Sequence, residues 1–307
     1  MLRVLLPWIV AAACFAVVYS RLERAAAAEG SSLPAYLWQV LTTVSWGPWL
    51  ALMIAYCLLY LVVDAAVVWR VVTWFNAPLG YPETVRVRGS AYVLSMVNEP
   101  IGKGGMALYL NRRHGVPGQE AASSMLFLMF CEYYSLLLWA TVGVTLRWSE
   151  MPPVLHLVPW LAAASVVFFV AFRHVVGRRR TADAPGRSGL LLTFRRARLP
   201  QYVVVVAARS ALVLAAVGVY TVAARLFGVG VSFVEMLGLL PVILFGAAVP
   251  GSMRSVAILL WVTLFPENPG EIAAFGFFQH NFFVLFTALI GLVFLRRVSA
   301  GLFREVP

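Results

Sequence analysis

Long apolar runs alternate with short polar connections from one end of the chain to the other. A membrane-crossing helix needs about 20 mostly apolar residues. Runs of that length fall at roughly 4–20, 48–69, 121–146, 154–172, 200–224 and 271–295, and they predict six transmembrane helices. The stretch from Leu33 to Val72 is too long for one upright helix, and Gly47-Pro48 breaks it. Residues 35–46, bearing Tyr36 and Trp38, are therefore expected as an interfacial helix leading into the second span. The first run also has the outline of a signal peptide: Arg3, an apolar stretch, then Ala25–Ala28. Arg21, Glu23 and Arg24 separate the stretch from the alanines, and cleavage regions are seldom that charged. Retention as a helix is the favoured reading, with cleavage as the alternative.

Two further apolar segments are interrupted. Ala91–Leu110 contains Asn98-Glu99-Pro100-Ile101-Gly102-Lys103-Gly104-Gly105, and Val231–Phe265 contains Gly246-Ala247-Ala248-Val249-Pro250-Gly251-Ser252. Non-helical backbone at membrane depth is tolerated only where protein or a water-filled cavity satisfies its polar groups. Both segments are expected as re-entrant helix–loop–helix hairpins, with Pro100, Gly102, Gly104, Gly105, Pro250, Gly251 and Ser252 in their loops.

Composition fixes the class. Apolar residues make up 62% of the 307 and charged residues 12%, against about 45–50% and 25% in soluble domains. A soluble enzyme, a disordered tail and a disulfide-stapled module are excluded, and the runs are continuous rather than alternating as in barrel strands. The expected fold class is an all-α polytopic membrane protein. Cys14, Cys57 and Cys131 lie within apolar stretches and give no disulfide or metal-ligand spacing. No cofactor is implied.

A net charge of +11 then needs explaining. With the N-terminus inside and both hairpins re-entrant, the inside holds Arg3, Arg70, Arg86, Arg88, Lys103, Arg112 and Arg113, eight arginines from Arg173 to Arg198, and Arg296, Arg297 and Arg304. The outside holds Arg21, Arg24, Arg147 and Arg225. An 18-to-4 bias satisfies the positive-inside rule with both termini cytoplasmic, in what is expected to be a bacterial inner membrane. Nucleic-acid binding is not needed to explain the charge. The basic connection 173–198 reads as a topology determinant beside anionic head groups, with specific binding of a nucleic acid or a partner as its alternative.

Arranged by topology, span 48–69, hairpin 91–110 and span 121–146 correspond to span 200–224, hairpin 231–265 and span 271–295 in the opposite orientation. Inverted repeats with paired broken segments are a transporter architecture whose substrate sites lie near the midplane. The whole chain is then one transmembrane domain, with halves at about 48–146 and 200–295.

Charged and polar residues within such segments are costly and demand partners. Glu132 sits centrally in its span beside Tyr133 and Tyr134, Arg209 lies within the fifth, Arg254 follows the second break, and Gln279-His280-Asn281 interrupt the last. Asn98, Glu99 and Lys103 belong to the first break, and Asp64 lies near Arg70. Pro100 to Glu132 and Pro250 to His280 are similar separations. One reading is a shared cavity in which Lys103, Arg209 and Arg254 attract an anionic head group while Glu132 and His280 tune charge or carry a proton. The other is internal ion pairing, such as Glu132 with Arg209.

Asn98 through Gly105, followed by Tyr109-Leu110-Asn111-Arg112-Arg113-His114-Gly115-Val116, resembles the Asn–Pro–Gly-rich motif and the Leu-x-Arg-x-x-Gly-Val of the lysylphosphatidylglycerol synthase transmembrane (flippase-like) family. Pro241 through Gly246 to Pro250-Gly251-Ser252 stands where that family carries a Pro-x-Ser-x-Gly-Gly-x-Gly loop. The chain departs from the pattern at Met106-Ala107, where the family has an acidic residue and an arginine. It departs again at Arg254, where the family has Glu, and at Glu132-Tyr133-Tyr134, a reduced Glu-Arg-x-x-Asp. The resemblance implies a flippase-like domain without the soluble synthase domain, hence no synthesis of lysyl-lipid.

The leading expectation is a non-enzymatic protein that binds or translocates an anionic lipid, its partners being membrane lipids, envelope-biosynthesis proteins or a second copy of the chain. A non-transporting accessory protein of envelope synthesis is the alternative. A Ser252–His280 dyad would make it an intramembrane hydrolase. Gly102-Lys103-Gly104-Gly105 lacks the rest of a phosphate-binding loop.

Overall fold

A computed structural model describes residues 2–96, 99–178, 189–247 and 255–302, with side chains for 9–96, 101–175, 189–247 and 255–295. These residues form helices and no strand. In chain order they are α1 (Leu2–Ala28), α2 (Leu33–Thr43), α3 (Trp46–Phe75), α4 (Tyr81–Ser95), α5 (Glu99–His114), α6 (Gly118–Leu146), α7 (Leu157–Arg178), α8 (Leu192–Arg196), α9 (Leu199–Leu226), α10 (Phe233–Ala247), α11 (Ser255–Leu264) and α12 (Pro269–Leu302).

Five stretches among the described residues are long and apolar enough to cross a membrane: Trp46–Phe75, Gly118–Leu146, Pro153–Val175, Leu199–Leu226 and Pro269–Leu295. The sixth expected span falls in α1, whose first side chains lie outside the described set. On α7, Trp160 is 72% and Val167 69% exposed. An apolar surface of this kind calls for a bilayer rather than water. This is the make-up of a polytopic, all-helical membrane protein.

Several expected breaks are displaced. Gly47 and Pro48 lie in the first turn of α3, and the chain turns at Val44 and Ser45 instead. A proline there forfeits no helical bond, because first-turn N–H groups have no intrahelical acceptor. The same physics corrects the first hairpin. Pro100 stands in the first turn of α5, and Gly102, Gly104 and Gly105 are helical rather than looped. Gly102 is where α5 meets α4, since a methyl there would run into the Ser95 hydroxyl and the Ala91 carbonyl. At the far end of the pair, Glu83 accepts a 2.6 Å bond from the Tyr109 hydroxyl and lies 3.4 Å from His114 Nε2. Helices α4 and α5 are thus an antiparallel hairpin. Helices α10 and α11 also pack on one another, with Gly246 against Val256 and Leu260.

Helix ends carry their own signals. Gly228 adopts φ 84°, and beyond it the Val229 N–H returns to the Ala224 carbonyl at 3.0 Å. This is the left-handed stop that only glycine adopts without strain.

The helices group into two compact units. One comprises Met1–Tyr56, Leu136–Val158 and Val213–Phe283; the other comprises Cys57–Ser135, Pro159–Leu212 and Val284–Pro307. The second unit holds the α4–α5 hairpin, the C-terminal parts of α3 and α12 and the N-terminal parts of α6 and α9. The first holds the α10–α11 hairpin with the complementary part of each of those four helices. With α1, α2, α7 and α8 set aside, exchanging α3 with α9, α4–α5 with α10–α11 and α6 with α12 converts one inventory into the other.

A glycine pair marks each. In the first unit a methyl at Gly143 of α6 would strike the α10 backbone at Leu237 and Gly238. In the second, a methyl at Gly291 of α12 would come within 2.8 Å of the Gly89 carbonyl oxygen of α4. Small residues let helix backbones approach in this way within membranes.

The second unit's core runs from Val67, Val68, Val71 and Val72 of α3 through Met106 and Leu110 of α5 to Phe127, Leu128 and Cys131 of α6. Phe194 of α8 and Tyr202 of α9 close it, with the Phe127 and Tyr202 ring centres 4.8 Å apart in an edge-to-face arrangement.

Candidate functional site

Five helices of the second unit bring charged side chains to one place. Asp64 projects from the apolar run of α3, fully buried. Arg88 of α4 donates from Nε to Asp64 Oδ2 at 2.5 Å, and Arg209 of α9 donates from Nη1 to Oδ1 at 2.6 Å. Tyr92, one turn beyond Arg88, donates its hydroxyl to Oδ2 at 2.9 Å. The Arg88 guanidinium lies 5.0 Å from the Tyr92 ring centre, a cation–π contact. A buried carboxylate needs most of its lone pairs satisfied. Three donors from two helices do that for Asp64.

Beside this triad lies a looser pair. Lys103 of α5 donates from Nζ to Glu132 Oε2 of α6 at 2.7 Å, and the same oxygen lies 4.0 Å from Arg209 Nη2. The Glu132 side chain is 26% exposed, whereas that of Lys103 is 4%. Glu132 is therefore the accessible edge of the cluster and Asp64 its buried anchor.

Of the residues singled out by sequence, Asp64, Lys103, Glu132 and Arg209 are brought together. The internal pairing of Glu132 with Arg209 is present only at ion-pair distance, with Lys103 the nearer partner. Gln279 belongs to the first unit and is engaged in packing. It accepts a 3.1 Å bond from Trp49 Nε1 and its Nε2 lies 2.7 Å from Met53 Sδ. Trp49, Phe227 and Phe282 surround that spot with ring contacts. His280 follows it on α12, half-buried. Glu99 and Pro100 are helical at the start of α5, their side chains outside the described set. Asn98, Pro250, Gly251, Ser252 and Arg254 lie outside the described residues.

One member of the site, Arg88, is not among the residues singled out by sequence. Arg88, counted with the cytoplasmic charges, is 1% exposed and bound to Asp64. The polar run Arg86-Val87-Arg88-Gly89-Ser90 has no helical apolar period, yet almost all of it is buried in α4. Asp64, a charge in an apolar span that demands a partner, finds it in Arg88 and Arg209. Arg70 lies against Trp69 and Trp74, 5.2 Å from the latter ring centre. A lone aspartate inside an apolar run was the one available signal for the anchor.

Comparison with known protein families, characterised proteins and solved structures finds no match for this chain.

Proposed function

We propose that this protein binds and translocates the anionic head group of a membrane lipid, as a non-enzymatic, flippase-like protein of a cytoplasmic membrane. The observation that carries the reading is the buried cluster of Arg88, Lys103 and Arg209 with Asp64 and Glu132 among long apolar helices, where charge is costly without a function or a partner. Two facts support an inverted repeat behind it. The long–short–short–long helix order occurs twice, and exchanging the two sets of four helices interconverts their shares of the two units, glycine pairs included. In this reading α4–α5 and α10–α11 are re-entrant, both termini are cytoplasmic and α1 is a sixth span. The resemblance to the lysylphosphatidylglycerol synthase transmembrane family is part of the same proposal.

The test is lipid retained by the purified chain in mild detergent, identified by mass spectrometry, with transfer of labelled phosphatidylglycerol and phosphatidylcholine in reconstituted vesicles. Enrichment and faster transfer of the anionic lipid are expected. Equal retention and equal transfer of both lipids would sink the reading.

A second reading, a non-transporting accessory protein of envelope synthesis, draws on the full satisfaction of Asp64, which suits a static tie among helices. Selective retention without transfer would favour it.

A further inference from the structure

We infer that the Nε–Nη2 edge of Arg209 is a docking edge for a two-oxygen oxyanion, a phosphodiester or carboxylate, and that Glu132 is the resident group that competes with it. The inference rests on the head-group reading above and adds the contact atoms and a specificity-determining residue.

A guanidinium carries five donors in a planar fork. Arg209 commits Nη1 to Asp64, which fixes the plane of the fork. Its Nε and Nη2, the side-on edge, are buried and have no hydrogen-bond partner among the described residues. Arg209 as a whole is 2% exposed. Buried donors of a charged group left unmatched are costly, and this edge is shaped to hold two oxygens in parallel. The nearest oxygen, Glu132 Oε2, stands 4.0 Å from Nη2. That is within ion-pair range but beyond a hydrogen bond, because Lys103 holds the same oxygen at 2.7 Å.

Glu132 is also the most exposed member of the cluster. An oxyanion held at the edge sits within a few ångströms of this carboxylate, whose Oε2 is 4.0 Å from Nη2. Like charges that close repel strongly in a poorly screened site. The other charged and titratable groups facing this point are Lys103 from α5, Asp64 and Tyr60 from α3, Arg88 and Tyr92 from α4, and Cys131 from α6. Asp64 is already held by three donors, so Glu132 is the carboxylate free to yield. It keeps the edge charge-balanced when empty and sets how strongly an anion must bind to displace it.

The test uses the full chain and two probes that separate the sources of the anion. Dimethyl phosphate is a soluble phosphodiester monoanion. Phosphatidylglycerol in phosphatidylcholine nanodiscs is the lipid-borne one. Wild type is expected to prefer phosphatidylglycerol, and E132Q to bind both probes about tenfold more tightly because a like charge has been removed. Arg209→Lys should bind both more weakly than wild type, since an ammonium offers a point charge in place of the fork. A role for Glu132 in packing alone gives equal or weaker binding by E132Q at an unchanged melting temperature, and that result overturns the inference.

Preference for phosphatidylglycerol with no gain in E132Q leaves the head-group reading standing without this one. Tighter dimethyl phosphate binding by E132Q without any lipid preference does the reverse, assigning the edge to a soluble oxyanion. No binding of either probe by any variant overturns both. Should E132Q fail to fold, Glu132→Asp, which draws the carboxylate back by one methylene, must tighten binding in the same direction.

Discussion

Arg209 and Asp64, 145 positions apart in the chain, are joined by a 2.6 Å bond from Nη1 to Oδ1 that ties α9 to α3. Asp64 also holds Arg88 and Tyr92 of α4, so one carboxylate organises three helices. A buried ion pair is weak evidence for net stabilisation, because desolvating both charges costs nearly what their attraction returns. Breaking one is a different matter.

Asp64→Ala removes the shared acceptor and leaves two buried guanidinium groups facing each other. The expected loss is about 3–5 kcal/mol, read as a large drop in melting temperature in mild detergent. Lys103→Ala should cost clearly less, because the carboxylate it abandons is 26% exposed and solvent or lipid head groups can reach it. A smaller loss for Asp64→Ala than for Lys103→Ala would remove Asp64 from its place as anchor.

Stability and function can be separated at the same spot. Replacing the whole triad with apolar residues of similar size, Asp64→Leu with Arg88→Met and Arg209→Met, leaves no charge uncompensated. Such replacements are often neutral or stabilising by about 1–4 kcal/mol. The triple variant is expected to melt well above Asp64→Ala while losing any preference for anionic lipid in vesicle transfer. Retained preference would place the selecting group elsewhere.

The contrast between Gly102 and Gly104 tests whether this stretch is helix or loop. Both lie inside α5, but a methyl at Gly102 meets the Ala91 carbonyl oxygen at 3.1 Å, whereas one at Gly104 meets nothing within 4 Å. Gly104→Ala is expected to stabilise by about 0.5–1 kcal/mol, the ordinary gain from removing glycine within a helix. Gly102→Ala should destabilise by about 1–3 kcal/mol through overpacking. In a loop with left-handed glycines, Gly104→Ala would be the damaging change, so thermal melts of the two variants decide the matter.

The spans were legible because apolar length is a one-dimensional property: the runs near 48–69, 121–146, 154–172, 200–224 and 271–295 each fall inside one of the five membrane-length stretches. The breaks were not, because proline and glycine do not say by themselves on which side of a helix start they fall. Pro48 and Pro100 both proved to be first-turn residues. At the site, Asp64, Lys103, Glu132 and Arg209 were legible as charges out of place in apolar surroundings. Arg88 was hidden because its own helix is polar and its burial depends on what packs around it. A polar helix enclosed by apolar ones has the same local pattern as an exposed loop.

Gln279 offers a check on the first unit. Its amide oxygen receives the Trp49 N–H at 3.1 Å in a buried setting. Gln279→Leu keeps most of the volume but leaves that N–H without its acceptor, at a cost of about 1–3 kcal/mol. Pairing it with Trp49→Phe, which deletes the donor, should recover part of the loss. Additive losses in this double-mutant cycle would show that the bond carries no coupling energy.

The two glycine pairs bear most directly on the repeat. If α6 against α10 and α12 against α4 are equivalent contacts, a methyl should be resisted at both. Gly143→Ala pushes on the backbone of Leu237 and Gly238, which cannot rotate away as a side chain can. Gly291→Ala pushes on the Gly89 carbonyl and on Val93, whose Cγ2 would stand 2.8 Å from the new methyl. Each is expected to destabilise by about 1–3 kcal/mol. Gly118→Ala, with nothing within 4 Å, should be near neutral. In a transporter of this plan the hairpins move against these long helices, so both variants should also slow lipid transfer while leaving lipid retention intact. If Gly143→Ala impairs transfer and Gly291→Ala does not, the two contacts are not functional equivalents. The resemblance between the halves would then be confined to the order of their helices.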